Sequence, residues 1–188
     1  MRQDADDSGH ALERFRQYLQ VLVKLQVDPR LQAKVDASGV IQQTLLEAHE
    51  TRHRWVDWPE PQQAAWLRRI LANNLNDELR KLAANRRDIG RERSLDAALE
   101  QSSSRLAAWL ASDESSPSHK AERHEQALQV AEALARLPEA QRDALVLQHW
   151  HGWSLEQIGQ HLGRSPAAVA GLLHRGLKQL KDYLHSGD

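Results

Sequence analysis

Cysteine is absent from the 188 residues of the chain. Disulfide frameworks, thiolate zinc sites and cysteine nucleophiles are therefore excluded. The chain also lacks any run near the roughly 18 consecutive apolar residues that a membrane-spanning helix needs. Residues 1–7 are acidic, whereas a signal peptide would be basic and then apolar. We therefore expect a cytoplasmic protein without a membrane partner.

Residues that favour β-strands are scarce. The chain has 9 Val, 4 Ile and 2 Thr against 28 Leu and 25 Ala, and the latter two are good helix formers. In the first half, apolar residues also recur every three or four positions, as they do on one face of an amphipathic helix. We therefore predict an all-α fold.

Three helices are predicted in the first half of the chain. The first ends at Asp28-Pro29, and the second begins after the capping cluster at residues 36–38. From Gln62 to about Arg87 there is no Pro or Gly, which predicts one long helix. The residues predicted to share a helix side are Leu12, Phe15, Leu19, Leu22 and Val23; Val40, Ile41, Thr44, Leu45 and Ala48; and Trp66, Ile70, Asn73, Leu75, Leu79 and Leu82.

The middle of the chain differs in composition from both ends. Residues 94–122 are rich in serine and acidic residues, with Ser102–Ser104 as one cluster. Such a composition is typical of a flexible linker, here with one short helix around Leu106–Leu110. We therefore predict two small helical domains, residues 1–93 and 123–188, joined by an acidic linker.

The second domain is predicted to consist of short helices. A helix from Glu125 to Leu137 is followed by Pro138, and proline favours the first position of a new helix. Gly152, Gly163 and Pro166 then divide the rest of the domain into three short helical pieces.

The net charge of −1 hides an uneven distribution. Residues 68–93 hold eight basic and four acidic residues, a net charge of +4, and residues 157–181 hold four basic residues and no acidic one. The predicted linker carries −3. Two basic helical units on an acidic tether predict two footprints on a polyanion, because phosphate binding requires cations gathered on one face. The alternative is that the basic residues only form solvent-exposed helix faces and bind no polyanion.

The most specific local pattern lies in the second domain. Ser154 is a predicted N-cap, and Gly163 suits the positive φ of a tight turn. Ser165 and Pro166 are the expected cap and first residue of the next helix, and Gly159 allows a second helix to approach closely. This order predicts a helix-turn-helix, with an ordinary αα-hairpin as the alternative. Its predicted buried side chains are Leu155, Ile158, Leu162, Val169, Leu172, Leu173 and Leu180.

The second helix of this motif has a predicted DNA-binding face. Its outward side begins with small residues, which allow close approach to base edges in the major groove. It continues with donors that can reach phosphates. The predicted outward residues are Ala167, Ala168, Gly171, His174, Arg175 and Lys178.

Three segments, in order, resemble the extracytoplasmic-function sigma factors of the sigma-70 family, which are transcription initiation subunits of bacterial RNA polymerase. Asp36–Ala48 (DASGVIQQTLLEA) resembles region 2.2. Trp66–Leu75 (WLRRILANNL), continuing to Arg86-Arg87, resembles regions 2.3 and 2.4. Ala133–Leu147 (ALARLPEAQRDALVL), followed by the helix-turn-helix, resembles region 4. The resemblance covers about residues 10–184.

The resemblance implies a protein that directs core RNA polymerase to promoters and starts transcription, and that is not an enzyme and has no catalytic residue, cofactor or metal. Its implied partners are promoter DNA and the β′ clamp and β flap of core polymerase, and an anti-sigma factor is a further candidate. In such factors the region 2.2 helix docks on the clamp, although Gly39 and Gln43 stand where the family often has acids. The residues implied to contact core polymerase are Asp36, Val40, Gln43 and Glu47.

The long basic helix is implied to recognise and open the minus-10 element. Opening needs an aromatic or apolar wedge, a polar group for an extruded base and cations for the displaced strand. The residues that match these needs are Trp66, Arg69, Asn73, Arg80, Lys81, Arg86 and Arg87. Packing in the core is the alternative role for Trp66.

The helix-turn-helix is implied to bind the minus-35 element. Ala170 and Leu172 replace residues that are often basic in the family, so the donors are few. Recognition is therefore expected to rely more on DNA shape and backbone contacts. The residues implied to contact this element are Arg164, Ser165, Ala167, Ala168, Gly171, His174, Arg175 and Lys178.

Two other functions fit parts of the sequence. Residues 49–53 match H-E-x-x-H, which on one helix places two histidines on the same face for zinc. Against a metalloprotease, no third ligand follows at the expected spacing, and an all-α chain has no edge strand to hold a peptide. The other alternative is a helix-turn-helix regulator that never joins polymerase, which leaves the long basic helix without a role.

Overall fold

The chain folds into α-helices that belong to two units. The computed structural model describes residues 3–82, 92–109 and 120–185, with side chains from residues 15, 95 and 125 onward in these ranges. All regular structure within them is helical, which confirms the predicted all-α class, and none of these helices is long and apolar enough to cross a membrane. The helices are α1 (Gln3–Gln26), α2 (Ala37–Glu50), α3 (Glu60–Leu82), α4 (Glu92–Ala108), α5 (Lys120–Arg136), α6 (Glu139–His149), α7 (Leu155–Leu162) and α8 (Pro166–His185), with a 3-10 helix at Arg52–Arg54. Unit 1 is residues 1–128 and unit 2 is residues 129–188, so the division falls inside α5.

Local signals place the ends of the first helices. Helix α1 ends at Gln26, shortly before Asp28-Pro29. The Asp36 carboxylate caps α2 by accepting a 2.9 Å hydrogen bond from a backbone N–H three residues further on. The three predicted helices are thus confirmed where the structure describes them. Arg86 and Arg87, which the long helix was predicted to include, lie outside the described residues.

The core of unit 1 forms where four helices meet. Helix α3 packs against α2 and α4, and α1 contacts all three. Burial of apolar side chains is the main favourable term for such a bundle. The largest side chains that are less than 2% exposed in α1, α3 and α4 are Phe15, Tyr18, Leu19, Leu22, Leu67, Leu71, Leu75, Leu99 and Leu106.

The residues predicted to share one side of α3 lie on two different sides of the helix in the structure. Ile70 and Leu75 are buried, whereas Asn73 is exposed and Leu82 is 46% exposed. At 3.6 residues per turn, Trp66 and Leu75 are two and a half turns apart and therefore point in opposite directions. Asn73 and Trp66 consequently belong to the outward side of α3, away from the leucines.

The serine-rich segment predicted as a linker begins as a helix. Helix α4 spans 17 residues and packs against α1 and α3. Ser102 and Ser103 are only 5% and 3% exposed, so they lie inside unit 1. The structure therefore differs from the predicted linker over the first half of residues 94–122. Residues 110–119 lie outside the described residues.

Hydrogen bonds to α1 explain the burial of these serines. Tyr18 Oη donates to Ser103 Oγ at 2.8 Å. Gln26 Nε2 donates to Ser102 Oγ and, at 2.8 Å, to the carbonyl oxygen of Ala98. Serine favours turns because its hydroxyl can bond to nearby backbone groups. Here the partners of the two serines are 76 and 85 residues away, so no local pattern indicates them.

Unit 2 contains α6, α7 and α8, each of which packs against the other two. Pro138 is the N-cap residue of α6, one position earlier than predicted. Leu180 is fully buried. The core residues of the helix-turn-helix are Ala144, Leu147, Ile158, Val169 and Leu172, with Ala140, Trp153, Leu155, Leu162 and Leu173 partly buried against them. The predicted buried side of the motif is therefore confirmed.

Candidate nucleic-acid interfaces

The shape of α7 and of the turn that follows it depends on one N-cap residue and two glycines. Ser154 and Gln157 form a reciprocal capping box at the start of α7. Gly163 ends α7 with a φ of +64°, a left-handed conformation that favours glycine. A β-carbon at Gly159 would lie 2.6 Å from the carbonyl oxygen of Arg164. A close approach at Gly159 is confirmed, but the group nearest to it is the backbone of the turn and not a second helix as predicted.

Helix α8 begins and packs as the sequence predicted. Pro166 is its first residue, and Ser165 Oγ accepts a 3.3 Å hydrogen bond from the Ala168 backbone N–H. Val169 and Leu172 face the core of unit 2. Gly171 is half-buried on the other side. The exposed residues of the turn and of this outer side are Arg164, Ser165, Ala167, Ala168, Ala170, His174, Arg175 and Lys178.

The donors on this outer side are available to a partner. Within the described part of the chain, no hydrogen bond or ion pair engages the side chain of Arg164, His174, Arg175 or Lys178. Guanidinium and ammonium groups donate to phosphate oxygens and to the acceptors of base edges. The outer side of α8 therefore has the chemistry of a duplex-DNA contact.

Four residues predicted for the minus-10 element lie on one outward side of α3, at steps of three, four and seven residues. Trp66 is half-buried, and Arg69, Asn73 and Arg80 are exposed. Asp77 shares this side, and its Oδ1 accepts a 3.2 Å hydrogen bond from Arg80 Nη1. We had not predicted a role for Asp77, although the i, i+3 spacing of opposite charges could have indicated the pair. We call the row formed by Trp66, Arg69, Asn73, Asp77 and Arg80 the α3 stripe.

Trp66 is held at the edge of a cleft between the start of α3 and α4. Its ring contacts the Trp58 ring edge-on, with the centroids 6.1 Å apart and the planes at 78°. Its buried Nε1 has no hydrogen-bond partner among the described residues. The cleft has a volume of about 530 Å³ and is also lined by Arg69 and Asp96. Trp66 is therefore a surface residue with an unpaired donor, and not part of the closed core.

Arg68, the neighbour of Arg69, has an interior role that the sequence did not indicate. It is 3% exposed, and its Nη1 donates to Tyr18 Oη at 2.9 Å. Its Nη2 contacts the Glu100 carboxylate on α4. Burial raises the pKa of the Tyr18 phenol, and the positive charge of Arg68 opposes that effect. Arg68 therefore links α1, α3 and α4 and is not available to DNA.

A second cleft, of about 720 Å³, separates the start of α2 from the end of α3. Lys81, which was predicted for the minus-10 element, lines this cleft, as do Asp77 and Arg80 of the α3 stripe. Its ammonium is 3.3 Å from one oxygen of Glu78, whose other oxygen accepts a 3.4 Å hydrogen bond from the Asp36 backbone N–H. Lys81 is therefore placed beside residues predicted to contact polymerase. We call this space the α2–α3 cleft.

The residues predicted to contact core polymerase differ in exposure. Asp36 and Gln43 are exposed and line the α2–α3 cleft. Glu47 is half-buried and accepts a 2.9 Å hydrogen bond from Gln43 Nε2. Val40 is only 6% exposed, because it lies on the buried side of α2 with Ile41. A partner reaches Val40 only by entering the cleft.

The H-E-x-x-H segment does not lie on one helix. Helix α2 ends at Glu50, and a 3-10 helix begins at Arg52. Trp55 Nε1 donates to the Ala48 carbonyl oxygen at 2.7 Å, which fixes this change of direction. The geometry that brings two histidines to one helix face is therefore lacking. Among the described residues, no group of three or more His, Asp or Glu could hold a metal ion.

Comparisons with known proteins match both units. The family model described as "Sigma-70, region 4" matches residues 127–180. The RNA polymerase sigma factor CarQ of Myxococcus xanthus is 32% identical over 148 residues, or 79% of this chain and 74% of CarQ. The RNA polymerase sigma-E factor of Streptomyces avermitilis is 28% identical over 155 residues, or 82% of this chain and 74% of that protein.

Among solved structures, the sigma factor RpoE from Bartonella quintana, in complex with the anti-sigma factor NepR, matches over 98% of each chain. The identity is 18% and the TM-score is 0.33, so this likeness supports no statement about fold or partners.

The match to CarQ is more than twice as long as unit 2, so it extends well into unit 1. A helix-turn-helix regulator that acts without polymerase does not account for a match of this extent. From that identity over that coverage, the chain belongs to the extracytoplasmic-function RNA polymerase sigma factors of the sigma-70 family.

Proposed function

We propose that this sigma factor contacts core RNA polymerase and the minus-10 element through unit 1, and the minus-35 element through unit 2. It acts in the cytoplasm and binds its partners without catalysing a reaction of its own. No cofactor or metal is assigned to it. The observation that carries the proposal is the α3 stripe, where an aromatic ring, an amide and two cations share one side of a single helix with Asp77.

The α3 stripe has the groups that strand separation requires. An aromatic side chain can stack on a base that leaves the duplex, and stacking contributes about 1–3 kcal/mol per base. Trp66 is partly accessible and Asn73 is exposed seven residues further on. The amide of Asn73 can donate to and accept from an extruded base. Arg69 and Arg80 are exposed next to them and suit the phosphates of a single strand.

The α2–α3 cleft supports the assignment of the polymerase contact to the outer part of α2. Asp36 and Gln43 are exposed at its rim, and Glu78 adds a carboxylate from α3. Arg80 and Lys81 also line the cleft, so its rim carries charges of both signs and suits a polar partner surface. The proposed contact with the β′ clamp therefore involves both α2 and the end of α3.

A reconstitution tests the function. The purified chain is added to bacterial core polymerase and a library of promoter fragments. We expect a complex with core that survives gel filtration and transcripts that start from a selected subset of fragments. Absence of both the complex and the selective transcripts contradicts the proposal. Core polymerase alone is the control.

A narrower test concerns the proposed wedge. Trp66→Ala should reduce promoter opening, measured by permanganate reactivity of unpaired thymines, by about tenfold or more, since it removes a base-stacking ring. Binding to closed duplex should change much less. Trp66→Phe, which keeps an aromatic ring, should restore most of the opening. Equal loss of opening and duplex binding in Trp66→Ala would instead favour a packing role.

A further inference from the structure

Helix α4 forms one wall of the cleft that Trp66 borders, and we call this space the α3–α4 cleft. Trp66 and Arg69 line it from α3, and Asp96 and Glu100 line it from α4. Residues four apart on a helix are neighbours on its surface, so the two acidic side chains share one side of α4. The ring proposed to stack on a base therefore lies in the same cleft as two carboxylates from another helix.

The two carboxylates differ in what balances their charge. Glu100 contacts the guanidinium of the buried Arg68. Asp96 is exposed, and within the described part of the chain no hydrogen bond or ion pair engages its side chain or that of Arg69. Like charges four residues apart slightly destabilise a helix, so Glu100 gives Asp96 no support. Asp96 therefore places an uncompensated negative charge in the α3–α4 cleft.

Helix α4 is anchored, so Asp96 cannot leave this position without unfolding part of unit 1. Leu99 and Leu106 are fully buried. Ser102 and Ser103 are buried and hydrogen-bonded to side chains of α1. A charge on a helix held in this way acts on any nucleic acid that approaches the cleft.

Duplex and single-stranded DNA bring different groups to such a cleft. In a duplex the bases are paired inside, and the outside carries one negative charge per about 1.7 Å of helix axis. In a single strand a base can turn toward the protein and stack on an aromatic ring. The buried Nε1 of Trp66, which has no partner among the described residues, can donate to an acceptor of that base. The phosphates of the strand can then follow Arg69 and Arg80 along α3.

We propose that Asp96 makes the α3 stripe discriminate against duplex DNA, so that unit 1 favours the minus-10 segment once its strands are separated. This inference rests on the proposed function of unit 1. Asp96 repels the phosphates of a closed duplex. An extruded base carries no charge, and its amino group can donate to the carboxylate. A protein shifts an equilibrium only by its difference in affinity for the two states, so repulsion of the closed state promotes opening.

A duplex that cannot open tests the discrimination. Holoenzyme assembled from core polymerase and the full chain is presented with short fragments of the minus-10 segment, either as a single strand or as a covalently crosslinked duplex. Asp96→Asn should raise the affinity for the crosslinked duplex by roughly three- to tenfold, since one repulsive charge is removed. The affinity for the single strand should rise by less than about twofold. Equal rises for the two forms, or no rise for the duplex, overturn the inference.

Two variants serve as matched controls. Asp96→Glu keeps the charge and should keep the wild-type ratio of the two affinities. Asp77→Asn makes the same charge change on the α3 stripe, at a residue that lines the α2–α3 cleft and not the α3–α4 cleft. It should raise both affinities by about two- to threefold and leave their ratio unchanged. A ratio that changes as much in Asp77→Asn as in Asp96→Asn would mean a general effect of charge, which overturns the specific role of Asp96.

Promoter opening provides a second readout. Asp96→Asn should lower the ratio of open to closed complex on a complete promoter by roughly three- to tenfold, because it stabilises the closed state. Permanganate reactivity of unpaired thymines measures the ratio. The thermal midpoint should stay at the wild-type value, because Asp96 has no partner in the described fold. Weaker opening with an unchanged affinity for crosslinked duplex would assign Asp96 to the open strand and overturn the inference.

Failure of this inference differs from failure of the proposed function. Sequence-selective binding of minus-10 single strands, together with an unchanged ratio of affinities in Asp96→Asn, overturns the inference alone. A holoenzyme that binds neither form of the minus-10 segment selectively overturns both.

Discussion

Residues 68–93 and 157–181 both carry a net charge of +4 in the sequence, but the structure uses their cations differently. The basic residues of the first stretch that contact a carboxylate are Arg68, Arg80 and Lys81. The basic residues of the second stretch that make no hydrogen bond or ion pair with a described residue are Arg164, Arg175 and Lys178. Among the described side chains, α3 thus has three cations in contact with carboxylates, whereas the turn before α8 and α8 itself leave these three cations to a partner.

The difference shows that the net charge of a segment does not measure the charge available to DNA. Arg68 counts toward the basic stretch but stabilises the contact between three helices. The pair of Arg80 and Asp77 is exposed on both sides, and such pairs contribute little to stability. Their effect is on the field that DNA encounters, because Asp77 offsets part of the positive charge of Arg80 on the α3 stripe.

The largest expected effect on stability comes from removing the buried Arg68 side chain. Arg68→Ala removes a buried donor to Tyr18 and leaves a space inside unit 1, and it should lower the free energy of unfolding of unit 1 by about 3 kcal/mol. Unit 2 should not change. Amide hydrogen exchange, which reports each unit separately, measures both. Arg69→Ala, the same change at an exposed neighbour, should stay within about 0.5 kcal/mol.

In unit 2, the substitution expected to cost most stability is at Gly159, which lies against the backbone of the turn. Gly159→Ala places a β-carbon 2.6 Å from the Arg164 carbonyl oxygen, so the turn must move. We expect unit 2 to lose about 2 kcal/mol of stability and unit 1 to be unaffected, as measured by hydrogen exchange. Gly171→Ala is the control, because its β-carbon meets only a flexible side chain. Similar losses from the two changes would contradict this account.

Alkaline pH should distinguish the units. Burial raises the pKa of Tyr18 above its ordinary value of 10.0. Stability from a group with a raised pKa in the folded state is fully present below the ordinary pKa and is lost as the pH rises through the folded pKa. The free energy of unfolding of unit 1 should therefore fall more steeply above pH 10.0 in the wild type than in Tyr18→Phe. Urea unfolding at a series of pH values measures the slopes, and parallel slopes would exclude Tyr18 as the cause.

The smallest expected effect concerns the charge of the α3 stripe and its affinity for DNA. Asp77→Asn removes a negative charge from the α3 stripe, so affinity for minus-10 single-stranded DNA should rise about two- to threefold. Stability should change by less than about 0.5 kcal/mol. Fluorescence anisotropy of labelled DNA with the holoenzyme measures the affinity. Asp57→Asn, the same charge change at an exposed position outside the stripe, should leave the affinity unaltered.

Local chemistry explains why unit 2 could be predicted in detail. A cap at Ser154, a left-handed glycine at Gly163 and a proline at the start of α8 are all decided within a few residues. The outer side of α8 then follows from helical periodicity. The position of the Arg175 guanidinium against Gly171 did not follow, because periodicity places the α-carbon and not the end of a long side chain.

Unit 1 was predicted less completely because its polar contacts are distant in sequence. Ser102 and Ser103 resembled a linker until Gln26 and Tyr18 were found against them. Lys81 was predicted for the minus-10 element because it is basic, and only the packing of α2 on α3 places it beside Glu78 and Asp36 in the α2–α3 cleft. Helix type and approximate ends depend on local sequence, whereas the sharing of polar groups between helices depends on tertiary contacts.

The edge-on contact between Trp58 and Trp66 has an optical consequence. Two indole rings held 6.1 Å apart in a fixed, asymmetric arrangement should contribute to the circular dichroism spectrum. A base that stacks on Trp66 during promoter opening changes the surroundings of one ring of the pair. The protein therefore contains an intrinsic spectroscopic reporter at the place where the strands are proposed to separate.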